Sequence, residues 1–298
     1  MTSSATWLRR RALARRVGTQ FIRSTPGRLG LAILAVFVLL AIAAPLLADR
    51  SGLDAVASRA AGAPQWGSPS EFPPLGTDHL RRSVWAQFVW GSRVSLFVGL
   101  AATVVTIVLG SVIGIVSGFV GGRIDSALMR FTEWFLVIPF LPLAIVLASI
   151  LGRSVSNIIF VIGITSWPST ARIVRAQVLT VKQRLFVDRA RSLGASGGHL
   201  VLRHILPNVS GLILANATLA VPVSILIETT LSFLGLGDPS RPSWGKALEE
   251  AFLNGAMIRN AWWYFIPPGL AILLVVLAFT LIGQTLEGIA DPRMRDRR

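Results

Sequence analysis

The 298-residue chain contains no cysteine, so it has no disulfide framework, thiolate metal site or thiol nucleophile. Charge is scarce: 14% of residues are charged, against roughly 25% in soluble domains. Lysine occurs only at Lys182 and Lys246, which leaves arginine to carry nearly all the positive charge. Histidine is confined to His79, His199 and His204, all outside the long apolar runs, and no aspartate falls inside one. These absences argue against a His-Glu-x-x-His metalloprotease, an intramembrane Ser/His protease and an aspartyl dyad. A nucleotide-binding loop is missing as well. It needs Gly-x-x-x-x-Gly-Lys followed by Ser or Thr, and the one Gly-Lys pair, Gly245-Lys246, is followed by Ala247. If ATP drives this protein, another chain must hydrolyse it.

Apolar residues fill the space that charge leaves. They make up 53% of the chain, and the mean hydropathy is +0.65. That composition reads as an all-α polytopic membrane protein with about six transmembrane helices. Residues 1–28 form a basic arm with seven arginines, and 29–48 form a first span of twenty apolar residues. At about 1.5 Å per residue this run crosses a hydrocarbon core of about 30 Å. It also exceeds the roughly 7–15 residues of a signal-peptide core, so a retained helix is the preferred reading.

Residues 49–92 read as a proline-containing outward loop, and 93–287 as a core of five further helices. Within that core the spans are Val94–Val120, a helix from near Ser126 with its apolar part from Trp134 to Leu151, Ile158–Val174, Val209–Thr230 and Trp262–Ile282. Pro168 and Pro222 are expected to kink or interrupt their spans. Residues 175–207 are a polar loop on one side, 231–261 a loop on the other, and 288–298 a basic tail. Trp134, Trp262 and Trp263 sit where spans meet the membrane interface. Gly114, Ser117 and Gly118 superficially resemble a nucleophile turn, but small residues in a span serve close helix packing.

The formal net charge of +15 would suggest nucleic acid in a soluble protein, but here its distribution fits a membrane protein. With six spans, 20 of the 29 basic residues fall on the side holding both termini. The positive-inside rule then makes both termini cytoplasmic. Among the acids within or beside a span, Glu133 and Glu228 are the candidate buried polar residues. Glu133 stands three residues after Arg130, the spacing of an i,i+3 ion pair. Two isolated acids without a Lys or His relay make a weak case for the alternative, an ion-gradient-driven secondary transporter.

The most distinctive stretch runs from Phe186 to Asn208. A short helix from about Asp188 to Leu193 ends at Gly194, and Pro207 bars continuation of the next helix. The result is a compact helix-turn-helix exposed to the cytoplasm and suited to docking in a groove on a partner.

This stretch resembles the "EAA" loop of ABC importer permeases. Asp188-Arg189-Ala190 stands for Glu-Ala-Ala, Gly194 is in place, and Leu206-Pro207 closes the pattern. Arg189 departs from it, which alters the expected charge of the partner groove. Gly76-Thr77-Asp78 and Gly91-Ser-Arg93-Val-Ser95-Leu96 are also similar to that family's segments, with Arg81-Arg82-Ser83 a departure. Ile227-Glu228 through Leu236-Gly237, Pro242-Ser243-Trp244-Gly245, Trp262-Trp263, Pro268-Gly269-Leu270-Ala271 and Asp291-Pro292-Arg293 continue the likeness over roughly residues 76–293.

The resemblance is to the dipeptide/oligopeptide/nickel family, and to the second of its two paired permeases. It implies the ABC type I importer permease fold, a bacterial plasma-membrane location and no ATPase site in this chain. Asp188, Arg189, Ala190, Arg191, Leu193, Gly194, Ala195 and Ser196 would be the coupling helix that docks on the ATPase. The implied partners are a homologous permease as heterodimer, two P-loop ATPase subunits or one fused ATPase binding ATP and Mg, an extracytoplasmic substrate-binding protein, and membrane lipid. Nucleic acid is not among them. Peptide is the expected cargo.

Overall fold

The computed structural model describes residues 18–290, and every regular element among them is helical. The arginines expected to form most of the basic arm and tail, Arg9 to Arg16 and Arg293 to Arg298, lie outside the described residues. Five helices are long and apolar enough to cross a membrane, and a sharply bent pair makes a sixth.

The first helix, α1, runs Thr25–Ile42, with Ser24 as its N-cap accepting from the Gly27 N–H and Pro26 in the first turn. Short helical turns at Ala44–Leu47, Arg50–Leu53 and Ala55–Ala60 follow. The next helix, α2, spans Val84–Val120 and starts ten residues before the expected Val94. Its opening turns carry Gln87, Ser92 and Ser95, polar enough to resemble a loop in hydropathy, yet all three are buried.

The third expected span is not one helix. α3, Gly122–Val137, and α4, Phe140–Leu151, meet at 89°. The break falls at Ile138-Pro139, where a proline forces the residue before it out of the helical region. Ile138 is extended, at φ −71° and ψ 127°. By contrast, α5 (Val155–Lys182) runs through Pro168 as one helix.

After a turn at Gln183-Arg184 come α6 (Leu185–Ser192) and α7 (Leu206–Leu231), the latter running through Pro222. Pro207 does not break the chain's helical course. The segment from Gly197 onward stays helical, widening to a π turn over Val201–Ile205, because Pro207 cannot donate to the carbonyl four residues back. The side-chain amide of Asn208 donates to the His204 carbonyl at 2.6 Å. α8 (Trp244–Leu253) and α9 (Trp262–Ala290) complete the bundle.

Helices α2 and α5 form the most extensive helix pair. Gly110, Gly114 and Gly118 line up at every fourth position of α2 and let α5 approach. A Cβ at Gly114 would lie 2.6 Å from the Ala171 carbonyl oxygen, and one at Gly118 2.9 Å from the Val178 Cβ. Packing, not nucleophilic chemistry, is therefore the role of this small-residue stripe.

Candidate functional site

The turn between α5 and α7 rests on a buried apolar base. Val174, Val178 and Val181 of α5 pack with Ile205 and Val209, while Ile115 and Phe119 of α2 close the side. Val187, the inward residue of α6, is fully buried. Polar ties fix the same region. Arg175 donates from Nε and Nη2 to the two carboxylate oxygens of Asp125, each at 2.6 Å, and Ser117 donates to the same carboxylate. Lys182 donates to the Phe119 carbonyl at 2.6 Å, capping the last turn of α2.

The α6 helix carries Asp188 in its first turn and Arg189 and Arg191 in its last, the arrangement that complements the helix dipole. Its end is a Schellman closure. The Gly194 N–H donates to the Arg191 carbonyl at 3.0 Å, and the Ala195 N–H to Ala190 at 3.1 Å. Gly194 takes φ +83°, which a residue with a Cβ adopts only under strain. Ser196 then caps the following turn by accepting from the His199 N–H at 3.4 Å.

The outer face of this unit is mixed. Leu193 is 88% exposed and Leu185 74% exposed, with Arg184, Arg189 and Arg191 around them. The Asp188–Arg191 pair, at 3.4 Å and half exposed, contributes little to stability. The element presents two exposed leucines and three exposed arginines above a buried apolar base. The expected residues Asp188 to Ser196 thus share one protruding element.

The two span-associated acids differ sharply. Glu228 on α7 is 1% exposed, accepting from Ser232 at 2.9 Å and from Ser95 at 3.3 Å. The Ser95 oxygen in turn accepts the Trp244 N–H at 3.1 Å. Three of the sequence motifs, around Ser95, Glu228 and Trp244, therefore converge on one buried point. Glu133 is exposed, and the expected ion pair with Arg130 does not form. It faces α5 instead, lining a cavity of about 470 Å³ with Met129, Thr132, Arg172, Arg175 and Ala176.

Sequence reasoning missed a network at the opposite end. Asp78, fully buried, accepts from Arg82 Nε at 2.7 Å, from Gln87 at 2.8 Å and from two backbone N–H groups. Arg82 also pairs with Glu250, which accepts the Tyr264 hydroxyl at 2.9 Å. Burial opposes the Arg82 charge, but Asp78 and Glu250 outweigh it and hold the guanidinium's pKa above its ordinary value. Trp263, expected at the membrane interface, donates to the Thr77 carbonyl at 3.3 Å. The motif at Gly76-Thr77-Asp78 and the departure at Arg81-Arg82 were the hints of this cluster in the sequence.

The chain is similar to known proteins over most of its length. The family described as binding-protein-dependent transport system inner membrane component matches residues 110–296. The dipeptide transport system permease protein DppC of Alkalihalophilus pseudofirmus is 35% identical over 267 residues, covering 89% of this chain and 85% of that one. The oligopeptide transport system permease protein OppC of Bacillus subtilis is 36% identical with the same coverage. OppC of Haemophilus influenzae is 37% identical over 222 residues, 74% of this chain and 70% of its own.

Proposed function

The chain belongs to the family of binding-protein-dependent transport system inner membrane components, and from that premise we propose that it is a permease subunit of an ATP-driven peptide importer. The observation that carries the reading is the rigid, protruding knob from Leu185 to Ser196, seated on the buried base of α5 and α7. A lever needs a stiff mount and an exposed contact face, and this element has both. The named relatives are peptide permeases, which favours peptide cargo and gives no support to the ion-gradient alternative.

In this reading the protein sits in the bacterial plasma membrane, with both termini and the knob on the cytoplasmic side, as the clustering of arginine favours. A homologous permease packs beside it to enclose the path. Partner P-loop ATPases bind ATP and Mg, and their closure moves the knob. Because α5, which leads into the knob, is tied to α3 through Arg175–Asp125 and to α2 through Lys182–Phe119, displacement of the knob tilts those helices as a unit. An extracytoplasmic binding protein delivers peptide to the outward loops. This chain performs no covalent chemistry; it supplies the moving wall.

The test is reconstitution of the tagged subunit with its partner chains in vesicles and measurement of labelled dialanine uptake. Uptake that requires ATP and survives collapse of the ion gradients supports the reading. Uptake that follows an ion gradient without ATP contradicts it.

A further inference from the structure

The apolar runs of α1 and α2 end at one level, on the side of the 49–92 loop. The first run closes at Ala48 and the second opens at Val94. Two indoles pin these ends together. Trp85 Nε1 donates to the Leu47 carbonyl and Trp90 Nε1 to the Ala48 carbonyl, each at 3.0 Å. Those carbonyls end the short Ala44–Leu47 helix, where no further turn supplies a donor. Below this level the surface is apolar: Ile42 and Leu46 are exposed on one side, and Phe97, Leu100 and Val104 continue an exposed stripe down α2 from Arg93. Indoles above an apolar flank mark the headgroup level of a bilayer.

Two arginines meet there. The Arg50 guanidinium lies 4.4 Å from the centroid of the Trp90 ring, and that of Arg93 5.3 Å. Through the shared ring the two stand within about 10 Å of each other. Both residues are exposed, and neither enters an ion pair or a side-chain hydrogen bond among the described residues. The neighbouring acid, Asp49, turns its carboxylate to the Ser51 N–H at 3.1 Å instead. The indole orients the guanidiniums, but it neither neutralises their charge nor satisfies the N–H donors in their planes.

The anion that a bilayer places at this depth is the lipid phosphate. Guanidinium forks match phosphate oxygens, two at a time. Two positive charges without a paired acid also favour a headgroup of net negative charge over one whose phosphate is balanced by its own choline. We propose that Arg50 and Arg93, oriented by Trp90, bind the phosphodiester of an anionic phospholipid in the leaflet that the 49–92 loop faces. The bound headgroup bridges the loop end of α1 and the start of the apolar run of α2.

Native mass spectrometry of the complete transporter, titrated in micelles with phosphatidylglycerol or phosphatidylcholine, counts the bound lipids. The wild type is expected to hold one phosphatidylglycerol that the Arg50→Gln/Arg93→Gln double variant takes up only at a tenfold or more higher lipid concentration. Phosphatidylcholine should bind both proteins alike. Arg59→Gln, which changes an exposed arginine of the same loop that does not contact Trp90, should bind phosphatidylglycerol as the wild type does. Five results overturn the site: a wild type that prefers neither lipid, a double variant that binds phosphatidylglycerol unchanged, an equal loss in Arg59→Gln, displacement of the lipid by millimolar inorganic phosphate, or a double variant that has lost the partner permease. The fourth would make the cluster a site for soluble anions, and the fifth would make it a subunit contact.

Discussion

Ser95 on α2 donates its hydroxyl to the buried carboxylate of Glu228 on α7 at 3.3 Å. The same oxygen accepts the Trp244 N–H, so one small side chain joins three distant segments. Removing the Glu228 carboxylate leaves Ser95 and Ser232 without their acceptor in a dry site. Glu228→Ala should therefore destabilise the purified subunit by roughly 1–3 kcal/mol, and Glu228→Gln, which keeps an acceptor oxygen, by less than half as much. Thermal unfolding in detergent reads the difference, and equal losses in the two variants would dissociate Glu228 from that role.

Gly114 at the α2–α5 seam and Gly211 on α7 should respond differently to an added methyl group. A Cβ at Gly114 would sit 2.6 Å from the Ala171 carbonyl oxygen, whereas one at Gly211 meets nothing within 4 Å. Gly114→Ala should cost about 1–3 kcal/mol through forced separation of the helices. Gly211→Ala, inside α7, should be neutral or stabilise by up to about 1 kcal/mol through helix propensity. Melting temperatures of the two variants against the wild type decide it.

Much of this architecture was readable because bilayers impose long apolar runs, and the chain has them. Gly194 was legible as a helix stop because a short amphipathic helix ending in glycine has few other readings, and the Schellman bonds bear that out. The 89° bend was not read, because Ile138-Pro139 sits within an apolar run where hydropathy is blind to backbone geometry. The start of α2 was placed too late because Gln87, Ser92 and Ser95 look like loop residues until Trp244 and Tyr264 cover them. The Arg82–Glu250 pair links positions 168 residues apart, beyond any local pattern. Spacing allowed Glu133 to meet Arg130, but Glu133 lines the cavity beside α5 and forms no ion pair with Arg130.

The Arg175–Asp125 clamp should behave as a partly exposed charge pair. Asp125→Asn is expected to lose roughly 1 kcal/mol, less at high salt, and a double-mutant cycle with Arg175→Gln should recover that coupling. Independent effects of the two substitutions would show that the clamp does not tie α3 to α5.

Glu249 on α8 has its pKa raised above the ordinary carboxylate value, first by burial and then by the neighbouring Glu250. The folded state therefore holds its proton more tightly than the unfolded chain does. Stability falls as pH rises from the ordinary carboxylate range through the raised value. Glu249→Gln should raise the melting temperature at pH 7, with the gain disappearing below about pH 4. A gain that persists in acid would assign the effect to packing.

The proposed role of the knob from Leu185 to Ser196, transmitting ATPase motion to the bundle, rests on its exposed face. Leu193 is the sharpest probe, since at 88% exposure it contributes almost nothing to the fold, unlike Gly194, whose φ of +83° ties it to backbone strain. The measurement is ATP-driven dialanine uptake in vesicles containing the whole complex with Leu193→Asp. The expected subunit inserts and melts like the wild type but loses at least tenfold in uptake, with ATP hydrolysis no longer coupled to transport. Wild-type uptake by that variant would contradict the proposed role.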